Sequence, residues 1–208
     1  EGLRQVARWR EAGMHVRVAV NLSGRNLLDP ELPAFLRQTL AETGTAAASL
    51  SIEITESVFV GGDERVVHAL EDMRSLGVCV ALDDFGTGAT SLSYLGRLPL
   101  DMLKIDASFI RRMTTDRASA AIVNATIALA HGIGLLTVAE GVEHREEWAE
   151  LARLGCDKVQ GYLVSRPLPA DVATQWLRES AWAVAPVARE PGVSREMVGD
   201  EEVVALVA

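Results

Sequence analysis

Short apolar runs rich in β-branched residues alternate with longer amphipathic stretches through the first 180 residues of the chain. Compact apolar runs bounded by turn residues are typical of buried strands, whereas apolar positions repeated every three or four residues predict helices. The predicted strands are VRVAVN (16–21), LSIEIT (50–55), VCVALD (78–83), MLKID (102–106), LLTVAE (135–140) and DKVQGYL (157–163). The predicted helices cover 3–13, 30–44, 63–77, 116–132, 144–155 and 166–180.

Strands that alternate with helices and read as nearly continuous apolar runs predict a parallel sheet covered by helices, either open and doubly wound or closed into a barrel. Nearly every predicted strand ends in a polar residue suited to chemistry: Asn21, Glu53, Asp83, Lys104, Glu140 and Gln160. In a barrel the carboxyl ends of all strands converge on one mouth, whereas an open sheet spreads them along an edge. The polar strand ends therefore favour the barrel.

The strand count falls short of a complete barrel, because about eight strands are needed and six are predicted. The chain begins at Glu1 inside a helix-like pattern with no capping residue before it. We therefore expect an α/β fold of the modified (β/α)8 TIM type that lacks its first strands, with residues 1–180 as one partial domain. Residues 181–208 lack clean periodicity, and we expect a poorly ordered tail or linker there, with Trp182 packed back on the barrel.

Composition narrows the class of protein. The 208 residues carry a net charge of −9, and 49% of them are hydrophobic. This apolar content indicates a folded domain, and the negative charge disfavours a nucleic-acid polymer as the partner. A small anionic substrate stays compatible, because a bound metal ion inverts the local charge. The two cysteines, Cys79 and Cys156, have no CxxC partner, and we expect reduced thiols in a cytoplasmic protein.

The adjacent aspartates in VALDDFGTGATSL (80–92) raise an electrostatic question. Neighbouring residues of a strand point to opposite faces, so Asp83 and Asp84 can converge only if the strand ends and the backbone turns, as FGTG allows. Two close carboxylates repel each other unless a divalent cation lies between them. In the alternative interpretation, Asp84 caps the next turn and Asp83 pairs with Lys104.

A second acid lies in SLSIEITES, where strand alternation places Glu53 and Thr55 on the inner face. A buried carboxylate needs a cation or a proton, and an ion pair between Glu53 and Lys104 would satisfy it as well as a metal. Together, however, the strand ends and their neighbours form a set of oxygen donors suited to Mg²⁺ or Mn²⁺: Asn21, Glu53, Asp83, Asp84 and Glu140. The four histidines are scattered without zinc-site spacing. A cluster of acids with one lysine, Lys104, is typical of sites in which two metal ions catalyse the hydrolysis of a phosphoester.

Six motifs occur in order: VNLS (20–23), IEITE (52–56), DDFGTG (83–88), LKID (103–106), AEGVE (139–143) and QGYLVSRPLP (160–169). Together they resemble the EAL domain, the bacterial cyclic di-GMP phosphodiesterase, over roughly residues 1–180. The resemblance implies a modified (β/α)8 barrel. It also implies metal-dependent hydrolysis of one phosphodiester bond of cyclic di-GMP, giving linear pGpG, with Mg²⁺ or Mn²⁺ in a two-metal site.

The resemblance also implies a role for each matching residue. Asn21, Glu53 and Asp83 would be metal ligands, Asp84 would bind the second ion, and Glu140 would serve that side of the centre. Lys104 would orient the attacking water, with Glu140 as a candidate base. The remaining matches are supporting residues: Glu143 and Gln160 beside the water network and substrate, and Glu56 bracing the DDFGTG loop.

The sequence departs from the family pattern in two places. The Glu-x-Leu motif that names the family, with a metal-binding Glu and a phosphate-binding Arg, is expected before Glu1. The usual aromatic residue after DDFGTG is Ala89 here. We therefore expect the 208-residue chain alone to be a poor enzyme, since it would lack one ligand and leave a barrel edge open.

Two alternatives to the enzyme stay open. The first is a catalytically inactive module that binds cyclic di-GMP or a protein partner, and the segment upstream of Glu1 discriminates it from the enzyme. The second is an unrelated barrel phosphohydrolase. EAL domains often follow a GGDEF or sensory domain and often form homodimers, so the resemblance allows both here. We expect a cytoplasmic domain, whose parent protein could be anchored to the membrane through an upstream segment.

Overall fold

A computed structural model describes residues 1–59, 63–88, 92–180, 182 and 204–207, with the backbone alone at 92, 93 and 204–207. The described strands form one sheet with all pairings parallel, in the order β6-β5-β4-β3-β2-β1-β7. Their bounds are β1 (Val16–Asn21), β2 (Leu50–Thr55), β3 (Cys79–Phe85), β4 (Met102–Ile105), β5 (Leu136–Ala139), β6 (Lys158–Val159) and β7 (Val204–Val207). The sheet confirms the predicted α/β class.

Helices connect the strands and cover the outer face of the sheet. Their bounds are α1 (Gly2–Glu11), α2 (Gly24–Leu27), α3 (Leu32–Thr43), α4 (Glu64–Ser75), α5 (Leu92–Leu95), α6 (Ala107–Ile110), α7 (Arg117–Gly132), α8 (Arg145–Leu154) and α9 (Ala170–Glu179). Two short 3-10 helices, Ala47–Ser49 and Glu56–Phe59, flank β2. Within the described ranges, no helix combines the length and apolar character that crossing a bilayer requires.

Strand alternation places the apolar core residues of β2 on one face of the sheet and the candidate site residue Glu53 on the other. Ile52 and Ile54 of β2 are 3% and 1% exposed and belong to the main hydrophobic core, beneath the helices. Glu53 lies between them in sequence and faces the other side, where it bonds to Lys104 of β4. All paired strands run in the same direction, so their carboxyl ends lie at one edge of the curled sheet. This edge carries the polar residues that the sequence singled out.

The predicted strand bounds are matched at 16–21 and 50–55 and differ elsewhere. β3 runs on to Phe85, two residues beyond the predicted end, and β6 comprises only Lys158–Val159. Asp106 does not extend β4 but caps α6, since its side chain accepts a hydrogen bond from the N–H of Ser108 at 3.0 Å. A capping carboxylate satisfies a helix N–H that has no partner within the helix, which favours ending the strand there.

Little of the predicted tail, 181–208, is among the described residues. The ring of Trp182 lies edge-on to that of Trp148 in α8, with 5.8 Å between the centroids. The backbone of β7 pairs with β1 in parallel, with Val16 opposite Val204. The prediction for the rest of the tail, like the departure at Ala89, lies outside the described residues.

Candidate functional site

The ammonium group of Lys104 is the centre of an acidic cluster at the carboxyl edge of the sheet. Lys104 is 3% exposed. Its Nζ lies 2.7 Å from Oε2 of Glu53, 2.9 Å from Oδ1 of Asp83 and 2.6 Å from Oε1 of Glu140. These side chains come from β2, β3, β4 and the residue after β5, so four consecutive strands of the sheet build the cluster. Both ion pairs of the alternative interpretation, Lys104 with Glu53 and with Asp83, are present.

Asp83 and Asp84 converge by a different route from the predicted one. The strand does not end at Asp83, because the β3–β4 pairing shifts register between Leu82 and Phe85 and then continues. Asp84 has a φ of 55° and is the only non-glycine residue with positive φ in the described part of the chain. A bulge with one left-handed residue turns neighbouring side chains to the same side of a strand. The bulge within the strand, not the FGTG turn after it, therefore aims both carboxylates.

The glycine-rich turn is held by the backbone of Asp84. The carbonyl oxygen of Asp84 accepts hydrogen bonds from the hydroxyl of Thr87 at 2.8 Å and from its N–H at 3.3 Å. The side chain of Asp84 instead joins the acidic cluster, where ligand oxygens of Asp83, Asp84 and Glu140 all lie within 4.8 Å of one another. The carboxylate of Asp84 is thus a member of the site.

The left-handed backbone at Asp84 leads us to predict how substitutions there change the free energy of unfolding. Gly and Asn adopt positive φ at little cost, whereas a β-branched residue is strained there by roughly 1–2 kcal/mol. We expect Asp84→Val to lower the free energy of unfolding by about that amount relative to Asp84→Gly. Urea denaturation of the two variants, with Asp84→Asn as the isosteric control, measures the difference. Equal stability of the Val and Gly variants would contradict the assigned backbone.

The electrostatics of the cluster follow from burial and from mutual repulsion. Burial raises the pKa of Glu53 and of Glu140 above the usual value, although Lys104 opposes the shift in both. Burial, Asp83 and Asp106 also raise the pKa of Asp84. For Lys104, burial disfavours the charged form, but Glu140 and Glu53 outweigh it, so its pKa is raised above the ordinary range. Lys104 therefore stays cationic at neutral pH.

The residues fit a divalent cation. Four carboxyl groups, those of Glu53, Asp83, Asp84 and Glu140, face one ammonium, so the group carries −4 + 1 = −3 when all are ionised. Carboxylate oxygens are the ligands of Mg²⁺ and Mn²⁺, and a bound cation offsets the mutual repulsion of these negative charges. In addition, Oε1 of Gln160 is buried without a hydrogen-bond partner in the described part of the chain. Such an orphaned oxygen in a native site calls for a partner outside the chain, such as water or an ion.

The other predicted residues surround this cluster at different depths. Asn21 ends β1 opposite Glu53 and is exposed. Glu143 is half-buried and lies 3.2 Å from Nη2 of Arg111. Gln160 follows β6, where its N–H donates to the carbonyl of Ala139 at 2.8 Å.

Glu56 contacts the loop after the aspartate pair. Its Oε1 accepts a hydrogen bond from the N–H of Gly86 at 2.7 Å, and the side chain is buried. A β-carbon on Gly88 would lie 2.8 Å from Oε2 of Glu56. Only glycine therefore lets the loop close this tightly on the glutamate.

Sequence analysis assigned no role to Asp106 beside the site, nor to the hydroxyls of Thr55 and Ser57 at the end of β2. The side chain of Asp106 lies against that of Asp84 and helps to raise its pKa. The hydroxyls of Thr55 and Ser57 are 2.8 Å apart at the end of β2. A usable signal existed for Asp106, because it follows the strand-end Lys104 by two residues.

The chain is similar to proteins of known family. The family model of the EAL domain matches residues 1–167. Cyclic di-GMP phosphodiesterase PdeR of Escherichia coli is 39% identical over 176 residues, which is 85% of this chain and 27% of PdeR. The solved structure of the Pseudomonas aeruginosa MucR phosphodiesterase in complex with c-di-GMP has a TM-score of 0.78 and 39% identity, and covers 82% of this chain and 70% of that one.

A second solved structure carries a metal. The manganese and cyclic di-GMP complex of Klebsiella pneumoniae BlrP1 has a TM-score of 0.72 and 31% identity, and covers 79% of this chain and 42% of that one. The chain spans only 20–27% of the length of the first curated relatives that it matches. Because the family model spans most of its residues and its sheet superposes on those structures, this chain belongs to the EAL domain family.

Proposed function

We propose that the acidic cluster around Lys104 is the active site of a metal-dependent phosphodiesterase that hydrolyses cyclic di-GMP to linear pGpG. The observation that carries the proposal is the convergence of Asp83, Asp84 and Glu140, whose ligand oxygens lie within 4.8 Å of one another beside a buried lysine. The names of PdeR and MucR, and the c-di-GMP complex of MucR, support the choice of substrate.

The proposed metal ligands are Asn21, Glu53, Asp83, Asp84 and Glu140, in a site for two ions. Bound Mg²⁺ or Mn²⁺ would lower the pKa of a water molecule and neutralise charge on the phosphate. The manganese complex of BlrP1 supports Mn²⁺ as one natural choice, and the oxygen-only donor set suits Mg²⁺ equally. Asn21 is exposed at the end of β1, so its side chain has room to turn towards the cluster.

Lys104 and Glu140 are the proposed catalytic residues. An ammonium group has three donors, and the three bonds to Glu53, Asp83 and Glu140 show where they point. When cations share those carboxylates, a donor of Lys104 becomes free to hold the attacking water in place. Oε1 of Glu140 lies 2.6 Å from Nζ of Lys104, so this carboxylate would lie beside a water held by Lys104 and is placed to accept its proton.

Three further residues have proposed supporting roles. Gln160 carries a buried side-chain oxygen that substrate or water would satisfy. Glu143 would border the substrate and its water network. Glu56 would hold the DDFGTG loop through its bond to the N–H of Gly86.

The setting of the domain is also a proposal. Both cysteines are free thiols, and free thiols are the usual state in the reducing cytoplasm, where we place the domain. We further propose that the domain acts downstream of GGDEF or sensory domains and as a homodimer. Partial coverage of long relatives, one of them a bifunctional cyclase and phosphodiesterase, supports the multidomain setting.

The proposal predicts that the full-length protein carrying these residues converts cyclic di-GMP to pGpG when Mn²⁺ or Mg²⁺ is present. Excess EDTA removes the ions from the carboxylates and should abolish turnover, and added Mn²⁺ should restore it. Chromatography of the nucleotides follows substrate and product, with calorimetry to measure substrate binding. Binding of cyclic di-GMP without any hydrolysis would instead support the inactive binding module. If the protein neither binds nor hydrolyses cyclic di-GMP, both the enzyme and the binding module are overturned.

A further inference from the structure

The short helix α6 contacts the loop after β3 and the loop after β5, although it holds none of the proposed metal ligands. It follows β4 at once, so its position is tied to Lys104 through Ile105 and the capping Asp106. Ile110 at its end is fully buried in the core. A one-turn helix anchored at both ends has little freedom to move relative to the sheet.

One contact joins α6 to the loop after the aspartate pair. The ring of Phe109 packs on Gly86, so that a β-carbon on Gly86 would lie 2.9 Å from Cε2 and 3.4 Å from Cζ of the ring. Gly86 has a φ of 99°, and its N–H is bonded to Glu56 on its other side. The residue two positions after Asp84 is therefore clamped between a ring and a carboxylate.

A second contact joins α6 to the loop after β5. A β-carbon on Gly141 would lie 2.5 Å from Cβ of Ala107, and Gly141 has a φ of 65°. Gly141 directly follows Glu140. Beyond the helix, Nη2 of Arg111 lies 3.2 Å from Oε1 of Glu143 in the same loop. The backbone beside Glu140 thus rests on the first residue of α6.

We infer that α6 is a spacer that sets the separation of the Asp84 and Glu140 carboxylates, with Phe109 and Ala107 as positioning residues for the divalent-cation site. The inference rests on the proposed function for its metal. Asp84 lies near the end of β3 and Glu140 directly after β5, and α6 is packed against the loop that follows each of them. Because packed interiors transmit displacements of a few tenths of an ångström, loss of either contact changes the distance between the two carboxylates. Substitutions in the layer behind metal ligands typically weaken metal affinity by about 10- to 100-fold.

The experiment compares Phe109→Ala and Phe109→Leu with wild type in the full-length protein carrying these residues. Calorimetric titration with Mn²⁺ in the absence of nucleotide gives metal affinity, and steady-state kinetics with cyclic di-GMP separates kcat from KM. We expect Phe109→Ala to weaken Mn²⁺ binding by at least about tenfold and to lower kcat, with Phe109→Leu intermediate. KM should change by less than about threefold, because the contact through which Phe109 acts is with Gly86.

A second substitution tests the other contact. Ala107→Val adds two methyl groups against Gly141, and Ala107→Gly removes the β-carbon that Gly141 packs on, so both variants should weaken Mn²⁺ binding. Ile110→Val is the matched stability control, since it removes one buried methyl group from the same helix at a cost of about 0.5–1.5 kcal/mol. Ile110→Val should leave the Mn²⁺ affinity unchanged.

The outcomes separate this inference from the proposed function. If the Phe109 variants bind Mn²⁺ as wild type does, or if Ile110→Val weakens binding as much as they do, the spacer role is wrong while phosphodiesterase activity can stand. If wild type binds Mn²⁺ and the variants weaken it, but no cyclic di-GMP is hydrolysed, the spacer role stands and the proposed reaction falls. If wild type binds no Mn²⁺, both are overturned.

Discussion

Replacing Asp83 by Asn should lower kcat/KM for cyclic di-GMP by at least about a thousandfold, or roughly 4 kcal/mol of transition-state stabilisation. The carboxylate of Asp83 lies 2.9 Å from Lys104 and belongs to the trio within 4.8 Å, so, like Glu140, it is shared by the lysine and the proposed ions. Asn keeps the shape of the side chain but loses the charge, and its amide group presents hydrogens to a cationic centre. Steady-state kinetics of the full-length protein carrying these residues gives the value.

The matched control is Asp72→Asn, the same change at an exposed aspartate of α4 outside the cluster. We expect this control to keep wild-type kinetics. Thermal unfolding of both variants shows whether each still folds, so that a loss of activity is not mistaken for a loss of structure. Retention of more than about a tenth of the activity by a folded Asp83→Asn protein would show that the metal assignment of Asp83 is wrong.

Replacing Lys104 by Met should cost about 3–5 kcal/mol of unfolding free energy at neutral pH in the metal-free chain, because it leaves buried acids without their cation. Glu53 is 4% exposed and depends on Lys104 for its only hydrogen bond to another side chain that the described residues show. Met has a similar length and fills the space, so the loss is chiefly electrostatic. Urea denaturation in EDTA measures the cost.

The loss of unfolding free energy in Lys104→Met should decrease as the pH is lowered. Glu53 and Glu140 already have raised pKa values in the folded protein, and loss of the opposing Lys104 raises them further. A carboxyl group whose folded pKa lies above its unfolded value stabilises the fold only when protonated, so the stability it contributes falls as pH rises. The deficit of Lys104→Met should therefore be largest at neutral pH and shrink towards the unfolded pKa of glutamate, about 4.3.

Arg153→Met serves as the control, since it also removes one cation from an ion pair. Arg153 lies 2.6 Å from Glu150 on the exposed face of α8. Exposed pairs contribute about 0–1 kcal/mol, so this variant should lose little stability. A deficit of Lys104→Met that is no larger than that of Arg153→Met, or that does not shrink at acidic pH, would contradict the electrostatic role of Lys104.

Much of the architecture and most of the candidate site could be predicted from local patterns. The strands at 16–21 and 50–55 have the predicted bounds, because alternation and β-branched residues are signals within the strand itself. The oxygen-donor set was also predictable, since parallel strands of a barrel bring their carboxyl ends to one mouth. Lys104, Glu53, Asp83 and Glu140 do meet there.

Other features have no local signal. The bulge at Asp84 depends on how β3 pairs with β4, and the sequence pattern predicted a strand that ended at Asp83. From the sequence, Lys104 could be an ion-pair partner of Glu53 or of Asp83, as an alternative to metal binding by these acids. In the structure one ammonium bonds both and Glu140 as well, because the four consecutive strands β2 to β5 bring their side chains to one point.

The sequence by itself determined the α/β class, the alternation of strands with helices and the chemical type of the site, since periodicity and side-chain identity are properties of the chain. Tertiary structure decided which acids face one another, how the aspartate pair turns to one side, and that Phe109 and Ala107 pack on the glycines of two distant loops. Contacts of that kind depend on register and close packing between segments far apart in sequence, which no short stretch of residues encodes.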